Sequence, residues 1–250
     1  GLASNYNLTS AALTINQKVL NSNSSRIYNA TTTAAASDIT LTNQVSGEAL
    51  QLSNSAATSS KNVGSYSISN LSGVTISDQA GANASSGALA ANYTLTGGTH
   101  SFAINPKAVN IAGTRQYNGT TNIVASDISG ITGTVNTETL TMSSGLGSTS
   151  SANVGTYNLT NTSAGTLALG NGSNGGLASN YTLTGGTQDY TITQRVLNSS
   201  GSKTYDANTN ALAGAITLSN LVSGEALNHS GTATISSANA GSYTISNLTG

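Results

Sequence analysis

The chain repeats itself with a period of about 88 residues, and this repetition limits its fold more than any other feature. Tyr28, Tyr117 and Tyr205 hold equivalent positions that are 89 and 88 residues apart. Solenoid repeats usually run about 20–50 residues, because each one is a single supersecondary unit that relies on its neighbours for a core. A period near 88 therefore predicts copies that are each large enough to close a hydrophobic core of their own.

Short landmarks recur in one fixed order in every copy. We predict that their tyrosines are the structural residues that define the repeat: Tyr6, Tyr93 and Tyr181 in Leu-Ala-Ser/Ala-Asn-Tyr, Tyr28, Tyr117 and Tyr205 in Tyr-Asn/Asp-Ala/Gly, and Tyr66, Tyr157 and Tyr243 in Asn-Val/Ala-Gly-Ser/Thr-Tyr. A weaker landmark carries the glutamates Glu48, Glu138 and Glu225. For these we expect either a buried hydrogen bond or a charge at a strand edge.

The landmarks divide the chain into four segments. Residues 1–15 resemble the end of a preceding repeat, residues 16–104 and 105–192 are two β repeats, and residues 193–250 are an incomplete β repeat. The first residues repeat a landmark found later in the chain, so we expect the natural N-terminus to lie elsewhere. Only about two residues connect one copy to the next, and such short connections predict a semi-rigid rod.

Within a copy, short stretches of alternating apolar and polar residues are separated by Gly- and Asn-rich turns. This pattern predicts an all-β chain of tandem β-sandwich domains, Ig-like or similar, with little helix. The Gly185-Gly186 pair, between residues 181–184 and 190–192, predicts a hairpin. A β-helix is the second choice, but the chain lacks the rung repeat of about 20–25 residues that such a fold needs.

Composition excludes several classes of function. The net charge is −1 and the seven Lys and Arg residues form no cluster, so we expect no binding to nucleic acid. Cysteine is absent, which removes disulfides and thiolate metal sites. No apolar run approaches the roughly 20 residues that span a bilayer, so we expect no membrane span in this segment.

No catalytic, cofactor or metal site is expected. The two histidines, His100 and His229, fall at unrelated positions in their copies, and we expect both to be solvated. Asp38 and Asp127 match each other, but the third copy has Ala215 at that position, which argues against a shared metal ligand. We therefore predict that the chain is not an enzyme and binds no cofactor.

Three stretches of the middle copy carry a resemblance to a known family. They are Tyr-Asn-Gly-Thr-Thr-Asn at 117–122, Val-Gly-Thr-Tyr at 154–157, and 180–192, which begins Asn-Tyr-Thr-Leu-Thr. Together they resemble the YDG/MBG-type repeats of filamentous-haemagglutinin-like adhesins, which Gram-negative bacteria export by two-partner secretion. The chain departs from the Tyr-Asp-Gly motif that gives the family its name. It has Tyr-Asn-Ala at Tyr28, Tyr-Asn-Gly at Tyr117 and Tyr-Asp-Ala at Tyr205. The resemblance implies a surface-exposed stalk without an active site.

The function expected from these features is that of a structural stalk in a secreted adhesin, extracellular and associated with the bacterial outer membrane. It would support cell adhesion or biofilm cohesion, with neighbouring repeats of the same chain as its main partners. Two alternatives stay open. The repeats could form a self-assembled filament of like chains, or they could bind matrix polysaccharide or host glycan through a ladder of Tyr28, Tyr117 and Tyr205. Otherwise these tyrosines pack on the following strand, with the hydroxyl bonded to backbone.

Overall fold

The computed structural model describes residues 1–79, 89–159 and 165–246. Regular structure over these residues consists of short strands and single turns of 3₁₀ helix, with no α-helix, which confirms the all-β prediction. Among the same residues, no helix is long and apolar enough to cross a membrane. The 3₁₀ turns are Ala3–Asn5, Ala36–Asp38, Ser69–Leu71, Ala90–Asn92, Ala125–Asp127, Ala178–Asn180 and Ala213–Ala215.

The strands recur in the same order in successive copies. The first copy contains β1 (Lys18–Val19), β2 (Asn21–Ile27), β3 (Thr33–Ala35), β4 (Leu41–Thr42), β5 (Leu50–Ala57), β6 (Gly64–Ser67), β7 (Val74–Asp78), β8 (Tyr93–Thr94) and β9 (His100–Asn105). The second contains β10 (Lys107–Ala108), β11 (Asn110–Gln116), β12 (Asn122–Val124), β13 (Ile128–Thr132), β14 (Leu140–Ser144), β15 (Leu146–Ser148), β16 (Gly155–Asn158), β17 (Ala168–Asn171), β18 (Tyr181–Thr182) and β19 (Gln188–Thr193). The third contains β20 (Asn198–Gly201), β21 (Asn210–Leu212), β22 (Ile216–Ser219) and β23 (Thr232–Thr234).

The largest sheet of the first copy joins its beginning to its end. Its strand order is β4-β2-β9-β6, with β2 parallel to β9 over six residue pairs and β4 and β6 antiparallel to their neighbours. The second copy has the same arrangement, in the order β13-β11-β19-β16. The first parallel pair, Ser22 and His100, is separated by 78 residues, which is far from the spacing of β-helix rungs.

The hairpin predicted around Gly185-Gly186 does not form. The strand before these glycines, β18, pairs in parallel with β10, whereas the strand after them, β19, lies between β11 and β16 in another sheet. The Gly-Gly turn therefore passes the chain from one sheet to another. The prediction was wrong because a turn signal is local, while the parallel partners of both strands come from the start of the copy and lie more than 70 residues earlier.

Backbone contacts divide the chain into two compact units. The first consists of residues 1–109, 131–143 and 169–186, and the second of residues 110–130, 144–168 and 187–250. The hydrophobic core of the first unit includes side chains from two successive copies, among them Leu20, Tyr28, Phe102 and Ile104 from one and Leu140 and Tyr181 from the next. The expectation of a core closed within each copy therefore does not describe this unit. The boundaries expected from the repeat stay predictions.

Candidate functional site

A buried glutamate, Glu138, lies between two buried tyrosines in the first unit. The Tyr28 hydroxyl donates to Oε1 of Glu138 at 2.8 Å, and the Tyr181 hydroxyl donates to Oε2 at 2.6 Å. The two rings meet edge to face, with centroids 5.4 Å apart and an interplanar angle of 77°. Lys61 Nζ lies 3.8 Å from Oε1. Both carboxylate oxygens of Glu138 thus have hydrogen-bond partners. Glu138 is only 5% exposed, and these bonds offset the free-energy cost of taking its carboxylate out of water.

Local turns hold this cluster in place. The backbone N–H of Glu138 donates to the Val135 carbonyl at 3.0 Å, which closes a turn, and the N–H of Val135 donates to the Tyr181 hydroxyl at 3.0 Å. Asn180, which is fully buried, precedes Tyr181 at the end of a 3₁₀ turn. Its Oδ1 accepts from the Val63 N–H at 2.9 Å, and its Nδ2 donates to Asn62 Oδ1 at 3.0 Å.

The first copy contains the same turn and the same tyrosine. The Glu48 N–H donates to the Val45 carbonyl at 3.0 Å, and the Val45 N–H donates to the Tyr93 hydroxyl at 3.3 Å. That hydroxyl in turn donates to Glu48 Oε2. Glu48 and Glu138 therefore each bind the tyrosine of the Leu-Ala-Ser/Ala-Asn-Tyr landmark that follows in the same copy.

The other tyrosine of the cluster comes from the preceding copy. Tyr28 belongs to the first copy and Glu138 to the second, and in the second unit Tyr117 of the second copy donates to Glu225 of the third. Glu225 lies in the same turn as its counterparts, with its N–H bonded to the Val222 carbonyl at 3.0 Å. The Tyr–Glu bond thus ties each copy to the next at matching positions.

Burial keeps the tyrosines of the cluster protonated far above neutral pH. It raises the pKa of Tyr181 to about 12, with a further contribution from the hydrogen bond to Glu138. The same two causes, in the same order, raise the pKa of Tyr28 further. Tyr117 also has a raised pKa, but there the hydrogen bond to Glu225 is the larger cause.

The structure places the nine repeat tyrosines in different environments. Tyr93 and Tyr181 are buried like Tyr28, Tyr117 is half-buried, and Tyr6 and Tyr205 are exposed. The hydroxyl partner of the Tyr28 position was expected to be backbone, but it is a glutamate of the following copy. Backbone acceptors occur instead in the Asn-Val/Ala-Gly-Ser/Thr-Tyr landmark, whose tyrosines are half-buried in all copies. Tyr66 donates to the Asn62 carbonyl at 2.7 Å and Tyr157 to the Asn153 carbonyl at 2.6 Å.

Two buried polar residues were not identified correctly from the sequence. His100 is 3% exposed rather than solvated, with Nδ1 3.1 Å from Ser22 Oγ and Nε2 2.9 Å from the Leu95 carbonyl oxygen. Tyr190 is fully buried and donates to Asp127 Oδ2 at 3.0 Å. Its position holds Phe102 in the first copy, so a search for tyrosines shared by every copy overlooks it. The sequence signal that could have identified Tyr190 as buried was its alternation with the isoleucine two residues later, which is also buried.

A basic residue two positions before Tyr28, Tyr117 and Tyr205 also has a structural role that was not predicted from the sequence. Arg26 donates to the carbonyls of Thr31 and Thr33 in the turn after Tyr28. Lys203 donates in the same way to the Asn208 and Asn210 carbonyls, at 2.8 and 2.7 Å. The sequence signal for this role was a basic residue at the same position in every copy, namely Arg26, Arg115 and Lys203.

Asp38 and Asp127, for which the sequence argued against a metal role, each accept from a backbone N–H that precedes a 3₁₀ turn, at 3.3 and 3.1 Å. Within residues 1–79, 89–159 and 165–246, no group of three or more His, Cys, Asp or Glu residues is placed to hold a metal ion. The Tyr–Glu clusters use their own donors and acceptors within the fold. This arrangement is suited to fixing the position of successive copies.

Replacing Glu138 by glutamine tests the tie between copies. Glu138→Gln removes the charge that strengthens two hydrogen bonds, and we expect the free energy of unfolding to fall by about 2 kcal/mol. The matched control is Glu48→Gln, at a half-buried position that accepts from one tyrosine, where we expect a smaller loss. Urea titrations followed by circular dichroism measure both values. Equal losses in the two variants would contradict the special role of Glu138.

Alkaline pH provides a second test. The pKa of Tyr181 is about 12 in the folded chain and about 10 in an unfolded one, so its stabilising contribution is complete below pH 10 and is lost as the pH rises toward 12. We expect Tyr181→Phe to be less stable than the parent at pH 8 but to lose stability less steeply from pH 10 to 12, by up to about 1.4 kcal/mol per pH unit. Urea titrations at several pH values measure the slopes, and identical slopes would refute the assignment.

Comparison with known proteins gives a family for the chain. The YDG domain matches it three times, over residues 9–101, 103–192 and 190–250. Neither the search of curated proteins nor the search of solved structures returned a match. The resemblance to YDG repeats inferred from the tyrosine landmarks is confirmed. Since the three matches together cover nearly all 250 residues, the chain belongs to the YDG domain family.

Proposed function

We propose that this chain is a structural stalk region of a secreted bacterial surface adhesin and that it supports cell adhesion or biofilm cohesion. One observation carries the mechanical part of the proposal, namely the parallel pairing of strands from the two ends of each copy. In the first copy β2 pairs with β9 from Ser22↔His100 to Ile27↔Asn105. In the second copy β11 pairs with β19 from Ile111↔Gln188 to Gln116↔Thr193.

This pairing determines how a copy responds to tension. The chain enters at the N-terminal end of β2 and leaves at the C-terminal end of β9, and the two strands point the same way. Pulling on the two ends therefore slides the strands past each other along their length. The evenly spaced hydrogen bonds of a parallel pair then resist together, whereas an unzipping force breaks them one after another.

Contacts between successive copies add to this resistance. A single residue, Pro106, separates β9 from β10, which leaves little slack between the copies. The bond from Tyr28 to Glu138 connects the first copy to the second beyond that junction. These features support a chain that transmits force from copy to copy with little extension.

The adhesin part of the proposal rests on the resemblance of the tyrosine landmarks to repeats of filamentous-haemagglutinin-like adhesins. We extend from it an extracellular location at the bacterial outer membrane, a semi-rigid rod of sandwich-like copies, and a role without enzymatic activity. Two of the three tyrosines that would form a glycan-stacking ladder, Tyr28 and Tyr117, donate their hydroxyls to Glu138 and Glu225. This favours the stalk over a glycan-binding ladder.

Single-molecule pulling tests the mechanical role. The chain has no cysteine, so paired cysteines define the attachment points. Val19→Cys with Asn105→Cys loads β2 against β9 along the strands, while Val19→Cys with Thr99→Cys pulls the same pair apart from one end. All three positions are exposed. We expect a rupture force at least about twofold higher in the first geometry, because its hydrogen bonds break together. Equal forces would contradict the mechanism.

Experiments on producing cells test the adhesin assignment. We expect antibodies against the chain to label intact cells, and in-frame deletion of residues 16–192 to reduce attachment or biofilm mass while the shortened protein is still displayed. The control is a deletion strain restored with the original segment. Labelling that appears only after lysis, or attachment that is unchanged when the shortened protein is displayed, would refute the assignment.

A further inference from the structure

The turn after β11 contains an asparagine followed by a glycine, Asn118-Gly119, within the motif that gives the family its name. The backbone nitrogen after an asparagine can attack the side-chain amide, and glycine has no side chain to hinder the approach. The chain has two further pairs of this kind, Asn171-Gly172 and Asn174-Gly175. All three asparagines are exposed, so access to water does not distinguish them.

Hydrogen bonds hold the Asn118 side chain over the peptide that follows it. Its Oδ1 accepts from the Thr120 N–H at 3.1 Å and from the Thr120 hydroxyl at 3.0 Å. The ring closed by the first of these bonds contains the Gly119 nitrogen, so the side-chain carbonyl carbon, Cγ, is held beside that nitrogen. The Gly119 N–H donates to no acceptor within the described part of the chain, which leaves its nitrogen available for attack.

A cation binds the same side-chain oxygen. Arg115 Nη1 donates to Asn118 Oδ1, and Arg115 Nη2 donates to the Thr120 carbonyl, which holds the guanidinium in place. A cation at a carbonyl oxygen draws electrons from the carbon and stabilises the negative oxygen that forms when a nucleophile adds. Asn118 Oδ1 thus receives three donors, one of them charged, and this arrangement activates Cγ for attack.

The other two Asn-Gly pairs are held in ways that oppose the same reaction. The Gly172 N–H donates to the Gly176 carbonyl at 3.0 Å, so the nitrogen that would attack Asn171 is already engaged. Asn174 Nδ2 donates to the Thr137 carbonyl at 3.0 Å, which retains the amide nitrogen that would have to leave. The structure therefore distinguishes one Asn-Gly pair from two others with the same local sequence.

We propose that Asn118 is a self-modification site at which the folded chain converts asparagine to aspartate. The Gly119 nitrogen forms a bond to Cγ, and its proton passes through water to the side-chain amide, which leaves as ammonia when the Cγ–Nδ2 bond breaks. Water then adds to Cγ of the cyclic succinimide, the bond from Cγ to the Gly119 nitrogen breaks, and the peptide N–H is restored. Because Arg115 polarises the carbonyl of Cγ and not that of the backbone, the product is aspartate rather than isoaspartate.

The third copy has an aspartate at the equivalent position. Asp206 corresponds to Asn118, and Lys203 corresponds to Arg115. Lys203 Nζ donates to Asp206 Oδ1 at 2.8 Å, and this hydrogen bond is the main reason why the pKa of Asp206 lies below its ordinary value. Conversion of Asn118 therefore gives the second copy a carboxylate beside a cation, as in the third copy, and changes its motif to Tyr-Asp-Gly. The inference does not depend on the stalk function.

The first copy provides a matched control within the same chain. Asn29 Oδ1 accepts from the Thr31 N–H at 3.2 Å and from the Thr31 hydroxyl at 3.0 Å. The next residue, Ala30, has a φ of 61°, close to the 77° of Gly119. Asn29 thus has the same turn but differs in two respects. A methyl group hinders the attacking nitrogen, and Arg26 donates to Thr31 rather than to the asparagine oxygen.

Peptide mapping by mass spectrometry tests the site in the whole chain, incubated in mildly alkaline buffer either folded or in urea. In the folded chain we expect Asn118 to exchange its amide for a carboxyl group. The three comparison asparagines, Asn29, Asn171 and Asn174, should stay unchanged over the same time. In urea the three Asn-Gly pairs should react at similar rates, because only the local sequence then matters. Equal rates at these pairs in the folded chain, or an unreactive Asn118, would overturn the proposal.

Variants of Arg115 test the activation of Cγ. Arg115→Gln removes the cation, and we expect it to slow the reaction of Asn118 in the folded chain about tenfold, less than the loss of a donor from a buried oxyanion hole because water replaces part of the bond. Arg115→Lys, which supplies the cation found in the third copy, should retain most of the rate. Both variants should react like the parent in urea, and circular dichroism checks their folding. An unchanged rate in Arg115→Gln, or isoaspartate as the main product of the parent, would overturn the role of Arg115.

Discussion

The parallel pairing between the first and last long strands of a copy is the constraint on which the rest of the structure depends. Ser22 and His100 are 78 residues apart, so this pairing closes a long loop whose entropic cost must be offset. Six residue pairs and the burial of Phe102 and Ile104 provide the compensation. The flanking strands β4 and β6 are only two and four residues long and gain a stable partner only when this centre has formed.

A chain with few large apolar residues needs other means to fix its copies together. Aromatic residues make up only 4% of the sequence, and most of these are tyrosines. Placing Glu138 between Tyr28 and Tyr181 buries two large rings and pairs every polar group that they bring with them. A buried charge of this kind adds little net stability compared with well-packed apolar groups. It does require one geometry, because an unpaired carboxylate in this position would be costly, and so the cluster specifies how successive copies meet.

The sequence predicts the periodic features well and the long-range ones poorly. Alternation and turn residues indicated an all-β chain, and Tyr28, Tyr181 and Glu138 stood out because their positions recur. The partner of the Tyr28 hydroxyl could not be foreseen, since Glu138 lies 110 residues away. The parallel partners of β18 and β19 were missed for the same reason, because a Gly-Gly pair signals a turn but not the sheet to which each strand belongs. His100 was misjudged because one partner of its ring, Ser22, lies 78 residues away in the sequence.

The closure that resists tension has a further structural consequence. The central strand of the four-stranded sheet is also the last strand of its copy. The two strands beside it therefore find this partner only after the whole copy has been made. In the second copy this central strand is β19, which pairs with β11 on one side and with β16 on the other. A strand in this position gains two ladders of hydrogen bonds, whereas a strand at the edge of a sheet gains one. The same topology therefore makes the last strand of a copy the one on which both the resistance to force and the pairing of its neighbours depend.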